Sequence, residues 1–297
     1  MDSVDDAIIL AGGNGTRMLP ASLYMPKETM PLVDTPILNH LIWEATRAGV
    51  KRIHLVLSPH KKDILERFIV NGAIHGEDVR PDLPRDSLSL KSDGVEIIPH
   101  LQLSAGGVAD AISVALDEIS GPFLVILGDM LILEEHLSPI FSGPDKGSSA
   151  SKKLVSRFKE EGKPCVGVFP VEMSEVSNYG VANLKGDTVV EIVEKPLESE
   201  APSNYVLCGR YLFPSETKDI LEGYPVSEFG ELQSIFLMRD LIGNRGLDAV
   251  KFDNMSMYDS GDPIIWLKSQ IDHALRREDI GNDLSEWLNE RMKSFLM

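Results

Sequence analysis

Three glycines in four positions, Gly12, Gly13 and Gly15, end an apolar run and lead into Thr16 and Arg17. Without Cβ atoms, such a loop can turn its backbone amides toward an anion. Arg17 adds a planar fork of donors that matches phosphate oxygens. Ten residues on, Lys27 stands in Met-Pro-Lys-Glu-Thr-Met-Pro, a cation held between two prolines. The spacing fits neither the dinucleotide fingerprint G-x-G-x-x-G nor a P-loop, since no Gly-Lys-Ser/Thr follows. A strand-to-helix turn with exposed basic residues fits the same letters. Further along, Asp129 closes the apolar run Phe123–Leu127, Asp259 lies in Tyr-Asp-Ser-Gly-Asp, and Glu194-Lys195-Pro196 follows a β-type segment. A carboxylate at the end of a buried strand is placed where ligands bind in open α/β sheets. A turn cap at Asp129, an Asx-turn at Asp259 and a strand-end ion pair at Glu194–Lys195 are the plainer readings.

The elements that must position these residues alternate. Ala7–Ala11 reads as a buried strand, and Pro36–Ala48 as a helix with apolar residues at Ile37, Leu38, Leu41, Ile42 and Ala45 and a stop at Gly49. Ile53–Leu57 is a second strand and Lys61 to about Val70 a second helix. Val95–Ile98 is a strand, Ala109–Ile119 a helix and Phe123–Leu127 a central strand. This order predicts a parallel sheet with crossovers. Gly76–Gly94 reads as a polar insertion and Ser142–Ser151 as a loop before a basic helix, Lys152–Glu161. Val166–Val171 and Val206–Phe213 are strands, and Gly180–Asn183 with Thr188–Val193 a hairpin. From Gly230 the sequence predicts mainly helix, with a polar break at Asp253–Pro263.

The long joint pattern, Leu-Ala-Gly-Gly-Asn-Gly-Thr-Arg-Met-Leu-Pro-Ala-Ser followed by Pro-Lys-Glu-Thr-Met-Pro-Leu-Val-Asp-Thr-Pro, resembles the signature of sugar-1-phosphate nucleotidylyltransferases. Within them it is most similar to the bacterial-type UTP–glucose-1-phosphate uridylyltransferase group, over nearly the whole chain. The resemblance implies a Rossmann-like α/β fold with an open, mixed and mostly parallel sheet, a β-hairpin that binds sugar, and C-terminal helices. It implies one domain, with a nucleotide part at about 1–140, a sugar-phosphate part at about 141–265 and closing helices at about 266–297. The implied reaction is uridylyl transfer from UTP to glucose 1-phosphate. Implied nucleotide-binding residues are Ala11, Gly12, Gly13, Gly15, Thr16, Gln102 and Gly107, with Arg17 and Lys27 neutralising the triphosphate. Gly180, Glu194, Lys195 and Asn204 would take the sugar phosphate, with Gly209 beside them. Asp129 and Asp259 would share one Mg²⁺.

Two departures stand out. Gly107-Val-Ala-Asp-Ala111 replaces the Gly-Leu-Gly-His-Ala of uridylyltransferases and is closer to thymidylyltransferases. A dTTP-dependent glucose-1-phosphate thymidylyltransferase is therefore the alternative enzyme, since uracil and thymine differ by one methyl. Leu23 and Tyr24 replace a Lys-Ala pair, which removes one basic residue from the Lys27 loop. A nucleotide-sugar-binding regulator without turnover is the other class of reading, and the retained set Arg17, Lys27, Asp129, Lys195 and Asp259 weighs against it.

The 297 residues carry 46 acidic and 29 basic side chains, a net charge of −17. That surplus argues against nucleic acid and anionic membranes as partners. The acidic N-terminal segment lacks a signal-peptide pattern, and the two cysteines read as buried thiols, so a cytoplasmic location is expected. The resemblance implies a homodimer or homotetramer. Trp266, Leu267, Ile271, Ala274 and Leu275 could form its apolar stripe, or pack within the monomer.

Overall fold

The computed structural model describes residues 3–62, 94–104, 106–223 and 234–295. The first strand, β1 (Asp6–Ala11), runs into the glycine loop and then a helical turn, α1 (Ala21–Tyr24). A short ribbon, β2 (Pro31–Leu32) and β3 (Thr35–Pro36), leads to α2 (Ile37–Ala48), stopped by Gly49 at φ 91°. β4 (Arg52–Leu57), β5 (Glu96–Leu101), α3 (Val108–Ser113), β6 (Phe123–Leu127) and β7 (Met130–Leu133) follow. Next come α4 (Ala150–Glu161), β8 (Cys165–Pro170), the hairpin β9 (Gly180–Lys185) and β10 (Thr188–Glu194), and β11 (Tyr205–Phe213). The chain closes with α5 (Thr217–Glu222), α6 (Ser234–Asn244), β12 (Leu247–Lys251), β13 (Ser256–Asp259), α7 (Pro263–Arg276) and α8 (Gly281–Phe295).

The main sheet has the order β5-β4-β1-β6-β11-β8-β12-β10-β9 among the described residues. Its first four strands are parallel, and β11 then enters antiparallel. The mixed α/β architecture expected from the sequence is thus present, with the parallel block carrying the glycine loop. Period-two alternation sorts β1 between two cores. Ala7, Ile9 and Ala11 face a core built with α2 and α4. Ile8 faces a second core that includes Ala111 and Ile112 of α3 and Leu237, Met238 and Leu241 of α6. Helices therefore cover both sheet faces.

Several expectations need correction. The region after Gly230 is largely helical as expected, but it also holds two strands that were not expected: β12, which pairs in parallel with β8, and β13 inside the polar break, which pairs with β7. The helix expected at Ala109–Ile119 ends at Ser113, with only a 3₁₀ turn at Leu116–Glu118. The expected apolar stripe of α7 is split. Trp266 and Ala274 are buried, whereas Leu267 and Leu275 are exposed. Most of the helix from Lys61 to about Val70 and most of the Gly76–Gly94 insertion lie outside the described residues. No helix among the described residues is long and apolar enough to cross a membrane. Cys165 and Cys208 are free and buried, as expected, and burial pushes the Cys208 thiol up to about 12.

Three imidazoles dock α7. His40 on α2 stacks edge-on against His273, and His273 Nδ1 lies 3.0 Å from His136 Nδ1. Burial lowers His40 to about 4 and His273 to about 3, and it lowers His136 as well. The folded-state values lie below the unfolded value near 6.5, so the unfolded chain takes up protons first. Stability is therefore full above about pH 6.5 and falls as pH drops toward 4. His40 alone contributes a loss of about 3 kcal/mol by pH 4, taking 1.36 kcal/mol per pKa unit. Thermal unfolding followed between pH 7 and 4.5 should show this decline, and His40→Leu should flatten its slope. Equal slopes in both proteins would contradict the assignment.

Candidate active site

The site lies where β1 and β6 end. Gly128 N donates to Leu10 O at 2.9 Å, and a Cβ at Gly128 would fall 2.4 Å from that oxygen. Only glycine lets the two strand ends close like this, and the closure sets Asp129 beside the glycine loop. Lys27 Nζ lies 2.5 Å from Asp129 Oδ2. Burial alone would raise the Asp129 carboxyl, but the Lys27 charge holds it below the usual carboxylate range. Burial likewise opposes the Lys27 charge, and Asp129 and Glu28 overcome it, so Lys27 is raised.

Asp259 arrives from the far end of the sequence. β13 pairs with β7 so that Asp259 faces Met130, and Ser260 N donates to Asp129 O at 2.9 Å. Asp259 Oδ1 accepts from Gly261 N at 2.6 Å. A Cβ at Gly261 would lie 2.7 Å from Arg17 Nη2 and 2.8 Å from Asp259 Oδ1. Arg17 and Asp259 therefore meet over that glycine. Burial and the neighbouring Asp129 charge raise the Asp259 carboxyl. Two hard oxygen donors with mutual repulsion are a setting that a divalent cation relieves.

Lys61 and Glu28 form a buried support beneath the loop. Lys61 Nζ donates to Ala11 O at 2.7 Å, Gly13 O at 2.6 Å and Glu28 Oε2 at 2.7 Å. Burial raises Glu28 and lowers Lys61, each opposed by its partner across this contact. Gly15, at φ 62°, precedes the 3₁₀ turn that Thr16 opens. Ser22 Oγ donates to Gly15 O at 2.8 Å and braces that turn.

Two cavities meet at Asp129. One, about 510 Å³, is lined by Gly12, Gly13, Asn14, Lys27, Gln102 and Gly107, among others. The second, about 460 Å³, includes Arg17, Gly180, Glu194, Lys195, Gly209 and Asp259 in its walls. Leu127 and Asp129 belong to both. A sequence profile, that of nucleotidyl transferases, matches residues 6–236, which includes both cavities' strand-end residues up to Gly209. The chain belongs to the nucleotidyl transferase family.

This nucleotidyl transferase is 30% identical to a UTP–glucose-1-phosphate uridylyltransferase of Haemophilus influenzae over 300 residues, covering 97% of this chain and 99% of that protein. It is 31% identical to a UTP–glucose-1-phosphate uridylyltransferase of Staphylococcus haemolyticus, covering 98% and 99%. A solved UDP-glucose pyrophosphorylase from Acinetobacter baumannii superposes with a TM-score of 0.81 at 24% identity, covering 97% of this chain and 99% of that one. That likeness establishes the fold.

Most residues singled out in the nucleotidyl transferase sequence converge on the two cavities. Glu194 and Gly180 pair across the β9–β10 hairpin, and a Cβ at Gly180 would sit 3.2 Å from Glu194 Oε2. Lys195 follows with φ 43°, its side chain largely exposed in the cavity wall and 3.9 Å from Glu194 Oε1. Gly209, at φ 71°, lies where the β11–β8 register shifts, and a Cβ there would press to 2.8 Å on Leu127. Asn204 departs from expectation. It lines neither cavity, and its Nδ2 donates to Val171 O at 3.1 Å, bracing the turn into β11. Ala11 is also behind the wall, where its carbonyl anchors Lys61.

Sequence reasoning did not single out Asn14, Glu28 or Lys61. Asn14 sits inside the glycine run and was open to selection. Glu28 adjoins Lys27, but nothing distinguishes Lys61 from a solvated Lys-Lys pair at that distance in sequence. Away from this region, His54, His100 and Glu118 form the one described group of three potential metal ligands, and His54 is held by Asp6 at 3.1 Å.

Proposed function

We propose that this chain transfers a uridylyl group from UTP to glucose 1-phosphate, giving UDP-glucose and pyrophosphate. The observation that carries the reading is the pair of cavities joined at Asp129, with Lys27, Arg17 and Asp259 at the junction. The loop-lined cavity takes the nucleotide, and the hairpin-lined cavity takes the sugar phosphate. An oxygen of the 1-phosphate attacks the α-phosphorus. A new P–O bond forms as the bond to pyrophosphate breaks in line. The nucleophile is already mostly ionised at neutral pH, since the second pKa of a phosphate monoester is about 6. No general base is required. The chain supplies alignment and charge stabilisation.

Lys27 and Arg17 offset the triphosphate charge. Glu194 accepts from sugar hydroxyls, and Lys195 pairs with the 1-phosphate. Asp129 and Asp259 would hold one Mg²⁺, and two carboxylates that repel one another fit as its donors. When bound, the ion would neutralise charge on the α-phosphate. Names shared with relatives over their full length support the substrate pair. We further propose a homodimer or homotetramer joined through the outer faces of α7 and α8, where Leu267 and Trp287 are exposed. The buried free thiols fit a reducing, cytoplasmic setting.

Pyrophosphate release with UTP or dTTP, each with glucose 1-phosphate and other hexose 1-phosphates, tests the reaction. UTP with glucose 1-phosphate should give the highest rate. Faster release with dTTP would move the assignment to thymidylyl transfer, and no release with any pair would overturn enzymatic turnover.

A further inference from the structure

Gln102 follows β5 and is buried in the wall of the loop-lined cavity. Its Nε2 donates to Asp110 Oδ2 at 2.7 Å and to Gly107 O at 3.3 Å. A carboxylate and a carbonyl can only accept, so both amide hydrogens are committed to the protein. Oε1 is thereby turned the other way. It faces Gly12, where a Cβ would lie 3.0 Å from it.

Asp110 is itself placed by the loop. A Cβ at Gly106 would lie 2.5 Å from Asp110 Cγ, so any other residue there would displace the carboxylate. Gly107, at φ 94°, turns the chain so that its carbonyl meets the same amide.

We propose that Asp110 is a positioning residue that locks the Gln102 amide in one orientation, leaving the base an acceptor and no donor. The inference rests on the loop-lined cavity being the nucleotide site. Uracil and thymine carry an N–H at ring position 3, whereas cytosine carries a lone pair there. Set against ring position 3, a fixed acceptor suits the first two and opposes the lone pair of cytosine. An unlocked amide could turn over and donate, and so accept either class. Buried polar groups left without partners are what make such discrimination large. The device does not separate uracil from thymine, which share the N–H.

Equilibrium binding by calorimetry tests this without requiring turnover. Wild-type protein should bind UTP at least about 100-fold more tightly than CTP, since a mismatched buried polar pair supports ratios of this order or more. Asp110→Ala should reduce the ratio at least about tenfold, chiefly by improving CTP binding. Asp110→Asn keeps the shape but can face the amide with either end, so it should shift the ratio in the same direction. The dTTP-to-UTP ratio should stay constant in both variants, which a general loosening of the loop would not produce selectively. An unchanged UTP-to-CTP ratio, a dTTP ratio that moves with it, or wild-type protein that binds CTP as well as UTP would overturn the proposal. Binding of UTP without pyrophosphate release would instead overturn the reaction and leave the lock standing.

Discussion

Lys27→Ala should lower kcat/KM for UTP by about 10²- to 10³-fold, with the fold retained. The magnitude follows from removing a fixed, desolvated cation aimed at developing phosphate charge, an effect of roughly 3–4 kcal/mol when one such group is lost. Lys27 is well placed to act this way. Two prolines flank its loop, and its ammonium reaches Asp129 at the junction of both cavities. The loss should appear mainly in kcat, because the charge that develops as pyrophosphate leaves is greater than the charge on bound UTP. Asp129 would also lose the partner that holds its carboxyl down, leaving it facing Asp259. Lys27→Arg should recover only part of the activity, since a planar fork does not reproduce a compact ammonium. Steady-state kinetics with circular dichroism as the fold control will decide it. A variant within tenfold of wild type would remove Lys27 from the mechanism.

The second large effect is on stability. Glu44 of α2 receives Arg210 of β11 in a two-pronged pair at 2.8 and 2.9 Å, and the guanidinium is fully buried. Ser151 at the start of α4 adds its backbone N–H and hydroxyl to the same carboxylate oxygen. One carboxylate thus ties a helix, a central strand and a second helix. Glu44→Ala strands a buried cation and should cost about 3–5 kcal/mol. The double variant Glu44→Met/Arg210→Met removes both charges and should be markedly more stable than either single change. Chemical denaturation measures both. A loss below about 1 kcal/mol for Glu44→Ala would mean that water reaches Arg210.

What could be read from the sequence was local. Gly12–Gly15, Arg17, Lys27 and Gly128-Asp129 announce themselves because glycine, proline and charge break apolar runs over a few residues. The parallel block β1, β4, β5 and β6 was legible for the same reason, as short apolar runs alternate with helical periodicity. The junction was harder. Asp129 and Asp259 are neighbours because β13 pairs with β7, residues about 130 apart in sequence. Four residues, Ser-Met-Tyr-Asp, carry too little periodicity to mark that strand, and β12 was lost in a helix-rich stretch likewise. Asn204 is a contrasting case, since it lines neither cavity among the described residues. Its position within a familiar pattern suggested a ligand contact, but the local backbone claimed its amide. Lys61 illustrates a buried cation whose partners, two carbonyls and Glu28, become visible only after folding. Asp110 made no sense as a lone letter, and it acquires a role once Gln102 is seen beside it.

The proposed reaction brings both substrates together at Asp129. Single-turnover pyrophosphate release by Asp129→Asn, with UTP, glucose 1-phosphate and saturating Mg²⁺, tests it most directly. The carboxamide keeps the shape, removes the charge that faces Lys27 and withdraws one oxygen donor. The expected result is a rate about 10²- to 10³-fold below wild type with UTP binding retained within about tenfold, in line with losing a group that acts on transition-state charge. A variant that releases pyrophosphate at more than about a tenth of the wild-type rate would exclude Asp129 from the reaction, since a tenfold change is only about 1.4 kcal/mol.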